Sequence, residues 1–195
     1  MERCRDCPPP VIERVRAPFL YEGPVSRAIK AMKFSGWHAL ARYLGDAMAA
    51  VVDGPADAVT WVPLSRRRRA RRGFDQAELL ARAVGRKMGL PPVGTLRRVR
   101  DTRAQARLTA ADRRSALRGA FGVVRAPPPR VLLVDDVLTT GSTAASCAEA
   151  LKEAGAVSVA LLVAARSLNG PIPRRCYGAV PPDPPVQRSG TPVYH

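Results

Sequence analysis

Two adjacent carboxylates, Asp135 and Asp136, close an apolar run, and Thr139, Thr140, Ser142 and Thr143 follow around Gly141. In such a loop the main-chain N–H groups and the dipole of the helix that follows converge on an anion. Gly141 permits a close backbone approach, and the hydroxyls add donors to phosphate oxygens. The acids cannot hold a phosphate themselves. As acceptors at its rim they suit the hydroxyls of a sugar carrying that phosphate, or a Mg²⁺ held through water. The pattern therefore reads as a pocket for a sugar 5-phosphate. No GxxxxGK[ST] is present, and no GxGxxG opens a helix here. A receiver domain shares the acidic pair but does not call for this hydroxyl loop.

The flanking elements place these residues. Val131–Val134 is an unbroken β-prone run, suited to a strand buried on both faces of a parallel sheet. Asp135 to Thr143 is then expected in the loop beyond its carboxyl end, where ligands of such sheets bind. An alanine-rich helix with Ala144, Ala145, Ala148 and Leu151 inward follows, then a second apolar strand over Val157–Ala165. Upstream, Ala58–Pro63 reads as the first core strand. Ser65 and six arginines in seven positions, from Arg66 to Arg72, follow it as a cationic loop. A loop there can neutralise a pyrophosphate, with Ser65, Arg66, Arg67 and Arg72 as candidates; the bland alternative is a solvated charge run. Helical spacing marks Val25–Phe34, Trp37–Val51 and Ala77–Met88, the first two expected across an edge or cap of the sheet. The arginine-rich excursion around Arg103, Gln105 and Arg107 is a candidate lid.

Composition sets bounds. The 195 residues suffice for one α/β domain with a real core. The expected organisation is an irregular leader over 1–16, a domain over 17–166, and a proline-rich, disordered tail over 167–195. Lys and Arg number 32 against 16 acids, a net charge of +16, which favours polyanionic partners but does not select among them. No apolar run approaches the ~20 residues of a membrane span, and no apolar signal region opens the chain, so a cytoplasmic location without membrane insertion is expected. Cys4 and Cys7 have zinc-knuckle spacing without a second pair nearby, so no protein-held metal is expected; Cys147 reads as a small core residue.

The run VLLVDDVLTTGST resembles the PRPP-binding motif of type I phosphoribosyltransferases. The resemblance implies their parallel-sheet fold, with helices on both faces and a small N-terminal addition. It also implies PRPP binding by Asp135, Asp136, Val137, Leu138, Thr139, Thr140, Gly141, Ser142 and Thr143, the acids on the ribose hydroxyls and Thr139 to Thr143 on the 5-phosphate. Three further stretches narrow the likeness: Phe19-Leu20-Tyr21-Glu22-Gly23-Pro24-Val25 leading to Lys33-Phe34, Arg72-Gly73-Phe74-Asp75-Gln76-Ala77, and Gln105-Ala106-Arg107-Leu108. Over about residues 4–166 the chain is similar to the ComF family (ComFC or GntX type), phosphoribosyltransferase-like proteins linked to DNA uptake in competence. Their usual form carries an N-terminal zinc ribbon with two C-x-x-C pairs; here Cys4 and Cys7 are a remnant of it. Where the family usually has Asn-Gln, this chain has Asp75-Gln76.

The resemblance implies a phosphoribosyltransferase that takes PRPP with Mg²⁺ and an acceptor the sequence does not name. Asp135 and Asp136 would orient the ring, with Lys33 placed at the site by family position alone. The alternative is a non-catalytic accessory protein of the competence machinery that binds single-stranded DNA and uses PRPP as a ligand or keeps its pocket as a relic. Its basic stretches 66–72 and 97–114 would track the strand, with Phe74 or Trp61 stacking on bases.

Overall fold

A computed structural model describes residues 11–99, 119–167 and 177–179. Its centre is a parallel sheet. β1 (Ile12–Arg16), β2 (Phe19–Leu20), β3 (Ala58–Trp61), β6 (Arg130–Leu138), β7 (Ser158–Arg166) and β8 (Tyr177–Ala179) lie in the order β3-β6-β7-β1-β8, with β2 also on β7. β4 (Leu96–Arg98) and β5 (Phe121–Val123) form a separate antiparallel pair. The helices are α1 (Gly23–Phe34), α2 (Leu40–Ala50), α3 (Arg66–Arg72), α4 (Gln76–Met88) and α5 (Ser142–Glu153).

The two apolar runs are neighbouring central strands: Val131 lies opposite Val159 and Leu133 opposite Leu161. Their alternate side chains feed two cores. On one face Val131, Leu133, Val159 and Leu161 meet Cys147, Ala148 and Leu151 of α5 and Phe121 of β5. On the other, Leu132, Val134 and Leu162 meet Ile29 and Met32 of α1, Leu44 and Met48 of α2, and Leu80 and Val84 of α4. The expected parallel α/β fold with helices on both faces is what the chain adopts.

Several expectations are corrected. Ile12–Arg16 is a strand of the main sheet with Ile12 and Val15 fully buried, not part of an irregular leader; its short apolar alternation was masked by the charges between. Tyr177–Ala179 pairs with β1, so this part of the tail is ordered. The helices α1 and α2 cover a face of the sheet rather than its edge, because β1 precedes them and already holds a place next to β7. Trp37 precedes α2 and is 63% exposed, off the apolar stripe it was assigned to.

The arginine run is likewise a helix and not a loop. Arginine is a good helix former, the Ser65 hydroxyl accepts from the Arg68 N–H at 3.4 Å, and Gly73 ends the turn at φ 78°. None of its residues is buried. What holds α3 in place is Asp75. One carboxylate oxygen accepts from the Leu64 N–H at 2.8 Å and the other from Ala77 N–H at 3.0 Å, which ties the entry to α3 to the start of α4.

Candidate functional site

Asp135 and Asp136 lie within β6, with Asp135 opposite Val163 and Val137 opposite Ala165. They were expected in the loop; the ladder instead runs on to Leu138, sustained by the β-branched Val137 and by pairing to β7. The pleat nevertheless changes at the acids. Before them, Val131 and Leu133 enter the α5 core and Leu132 and Val134 the α1–α2–α4 core. After them, Val137 packs toward the α1–α2–α4 core and Leu138 toward α5, a one-residue slip of the alternation. At the slip the Asp135 carboxylate accepts from the Asp136 N–H at 2.8 Å.

Around the acids the fold assembles residues distant in sequence. Lys33, at the end of α1, places Nζ 2.8 Å from Asp136 Oδ2, both side chains mostly buried at 18% and 15% exposure. Arg72, the last residue of α3, donates from Nη1 to Gln76 Oε1 at 2.9 Å. Its guanidinium also sits 4.9 Å from the Phe34 ring centroid. Burial lowers the Arg72 pKa, opposed by the nearby Asp136 charge. Burial, then the charge of Asp136, pushes the Asp135 carboxyl well above the usual carboxylate range, with the Asp136 N–H and Lys33 pulling the other way. Asp75 is raised by burial in spite of its backbone hydrogen bonds. The Cys147 thiol is pushed well up by burial and by Asp135, which marks it as an unreactive core residue.

The hydroxyl loop stands directly beyond. Thr139 and Thr140 form the turn, Gly141 caps α5 with φ 73°, and Ser142 and Thr143 open the helix. The Thr140 and Ser142 hydroxyls lie 3.2 Å apart. Val137 and Leu138 spend their side chains on the cores, so they can offer a ligand main chain only.

Of the arginine-run candidates, Arg72 alone is brought to the acids. Ser65 is a buried helix cap, and Arg66 and Arg67 are exposed on α3. Trp61 packs at the margin of a core, while Phe74 lines a cavity. Arg103, Gln105, Arg107, Cys4 and Cys7 lie outside the described residues. Sequence reasoning passed over Gln76, Phe34 and His38 as site-forming residues. Only Gln76 carried a signal, a polar residue on the inner turn of an apolar helix.

No protein-family model matches the chain. It is 35% identical over 176 residues to the DNA utilization protein YhgH of Salmonella typhi, which covers 85% of this chain and 77% of that protein. The chain belongs to the ComF family. Another ComF relative, the YhgH protein of Escherichia coli K12, is 33% identical over the same share of each chain. Competence protein F of Haemophilus influenzae is 37% identical over 116 residues, 57% of this chain and 51% of that one, so this match spans about half of the relative. Among solved structures, a glutamine PRPP amidotransferase from B. subtilis complexed with ADP and GMP is similar. It has a TM-score of 0.46 and 28% identity over 64% of this ComF chain and 26% of that chain.

Among the described residues no helix is long and apolar enough to cross a membrane.

Proposed function

We propose that this ComF protein binds PRPP at the carboxyl end of β6 and transfers its phosphoribosyl group to an acceptor, in support of DNA uptake. The observation that carries the reading is the Lys33–Asp136 pair, just upstream of the Thr139–Thr143 turn in the chain and within electrostatic reach of Arg72. The turn's amides and hydroxyls take the 5-phosphate. Asp135 and Asp136 accept from the ribose hydroxyls; a carboxylate has about four acceptor positions, so the Lys33 pair does not exhaust Asp136. Arg72 and Lys33 carry the charge that offsets the pyrophosphate.

In the transfer, the bond from C1 to the pyrophosphate oxygen breaks with its electron pair on pyrophosphate, and an acceptor nucleophile bonds to C1. The protein supplies placement and charge neutralisation. Mg²⁺ would neutralise the pyrophosphate and arrive with it. Asp135 and Asp136 are the carboxylates nearest that role.

Isothermal titration with PRPP and Mg²⁺ tests the site. Asp135→Asn/Asp136→Asn should weaken binding by an order of magnitude or more; equal affinity in wild type and variant refutes the assignment. A second reading, a non-catalytic binder of single-stranded DNA, is favoured by the exposed arginine face of α3. It requires affinity to fall by about 0.7 log units per log unit of salt for each phosphate neutralised. Pyrophosphate release with none of a panel of acceptors, together with that slope, would select it.

A further inference from the structure

A cavity of about 540 Å³ opens beside the acids, walled by the end of α1 with the segment after it and by the end of α3. Its lining includes three cations, Lys33, Arg71 and Arg72, and three aromatic rings, Phe34, His38 and Phe74; no Asp or Glu contributes. The concentration is unusual for this chain, which has four phenylalanines and two histidines in all. His38 and Phe74 meet edge to face with centroids 4.1 Å apart, while Arg72 covers the Phe34 ring. Two buried donors next to this wall, Arg72 Nε and Gln76 Nε2, have no hydrogen-bond partner, and Gln76 is only 1% exposed.

Phe34 is 67% exposed, and Gly36, His38 and Arg71 are exposed too, so the wall opens to solvent; its chemistry, not its enclosure, sets it apart. A second cavity, about 420 Å³, is lined by Arg42, Asp46, Arg86 and Lys87, with a carboxylate among its cations and no ring. Pyrophosphate alone would account for cations near the acids but leaves the aromatic wall without a role. Rings with a cationic rim match a flat aromatic molecule that carries a negative group, its face on Phe74 and its charge on Arg71, which leaves Arg72 to the pyrophosphate. Lys33 lines this cavity and touches Asp136, so the occupant sits against the place where the sugar would be held.

We propose that this cavity is the acceptor subsite and that the acceptor is an anionic planar aromatic, a ring bearing a carboxylate or a phosphate. The assignment rests on the phosphoribosyl reading above. The direct test is isothermal titration of the full chain with orotate and nicotinate as aromatic carboxylates, a nucleoside 5′-monophosphate as the phosphate-bearing ring, and adenine as the uncharged control. Each is run with and without PRPP–Mg²⁺.

One or both anionic classes should bind at least about fivefold more tightly than adenine, and which one binds names the anionic group. Phe74→Leu and the surface change Arg71→Ala should each weaken that binding about five- to tenfold, with PRPP affinity kept within about twofold. Arg71→Ala removes no buried contact, so it remains informative if Phe74→Leu does not fold. The proposal is overturned if no probe binds, if adenine binds as well as the anions, or if the variants leave probe affinity unchanged. It is also overturned if they lose PRPP affinity in parallel, which would give the cavity to pyrophosphate. Probe binding lost in both variants without any PRPP binding to wild type would sink the transferase reading and keep the aromatic anion site.

Discussion

Lys33→Met isolates the contact that joins α1 to the acids. At 2.8 Å and an effective dielectric of about 20, the gross attraction is about 6 kcal/mol. Desolvation of two mostly buried groups cancels much of that. The net loss should fall between the near-zero worth of surface pairs and the roughly 3–5 kcal/mol seen when a buried pair is broken, at about 2 kcal/mol. The loss must also depend on pH. Lys33 lowers the Asp135 pKa, so its removal drives that carboxyl still higher. A carboxyl whose folded pKa is raised contributes stability in acid that disappears as pH rises through the folded value. The Lys33→Met deficit should therefore be smaller at pH 5 than at pH 8. Urea unfolding followed by circular dichroism at both pH values measures it, and Lys33→Met/Asp136→Asn closes the cycle. The double variant should recover about 1 kcal/mol or more of the summed losses. Strict additivity, or a larger deficit at pH 5, would refute the argument.

Two other outcomes follow from the packing and the burial. Asp135→Asn should raise the melting temperature at pH 8, because it removes a desolvated charge and keeps an acceptor for the Asp136 N–H, and the gain should shrink toward pH 4; a variant less stable than wild type at pH 8 contradicts this. A Cβ added at Gly45 would collide with the Ala83 Cβ across the α2–α4 contact, so Gly45→Ala should cost about 1–2 kcal/mol in urea unfolding in spite of its better helix propensity, and Gly45→Ala/Ala83→Gly should regain part of that loss.

The parts of the fold legible in sequence were those with long, unmixed patterns. The Val131–Val134 run, the Leu161–Ala165 part of the second apolar run (Val157, at its start, is 70% exposed), and the stripe of Ala77, Leu80, Ala81 and Val84 state their burial outright. Ile12 and Val15 did not, because the glutamate and arginine between them made a core strand read as a polar leader. The site was half legible. The hydroxyl turn and the acids are local in sequence, and local chemistry predicts them. The arrival of Lys33 and Arg72 depends on how α1 and the Asp75-tethered α3 end against β6, which no short window contains. The arginine run misled for another reason: its charge suggested a loop, whereas its helix propensity and the Ser65 cap decided its shape.

The slip in β6 has a consequence for any attempt to transplant or repair this strand. Residues counted odd and even from Arg130 report the correct layer only as far as Val134; beyond Asp136 the reading frame is inverted, so a graft that copies the pattern mechanically would turn Val137 and Leu138 inside out. The same inversion leaves the acids at the seam between the two layers. Lys33 reaches them from the α1 side, and Cys147 of α5 feels Asp135 from the other. Changes in either layer, however remote along the chain, therefore meet at one point.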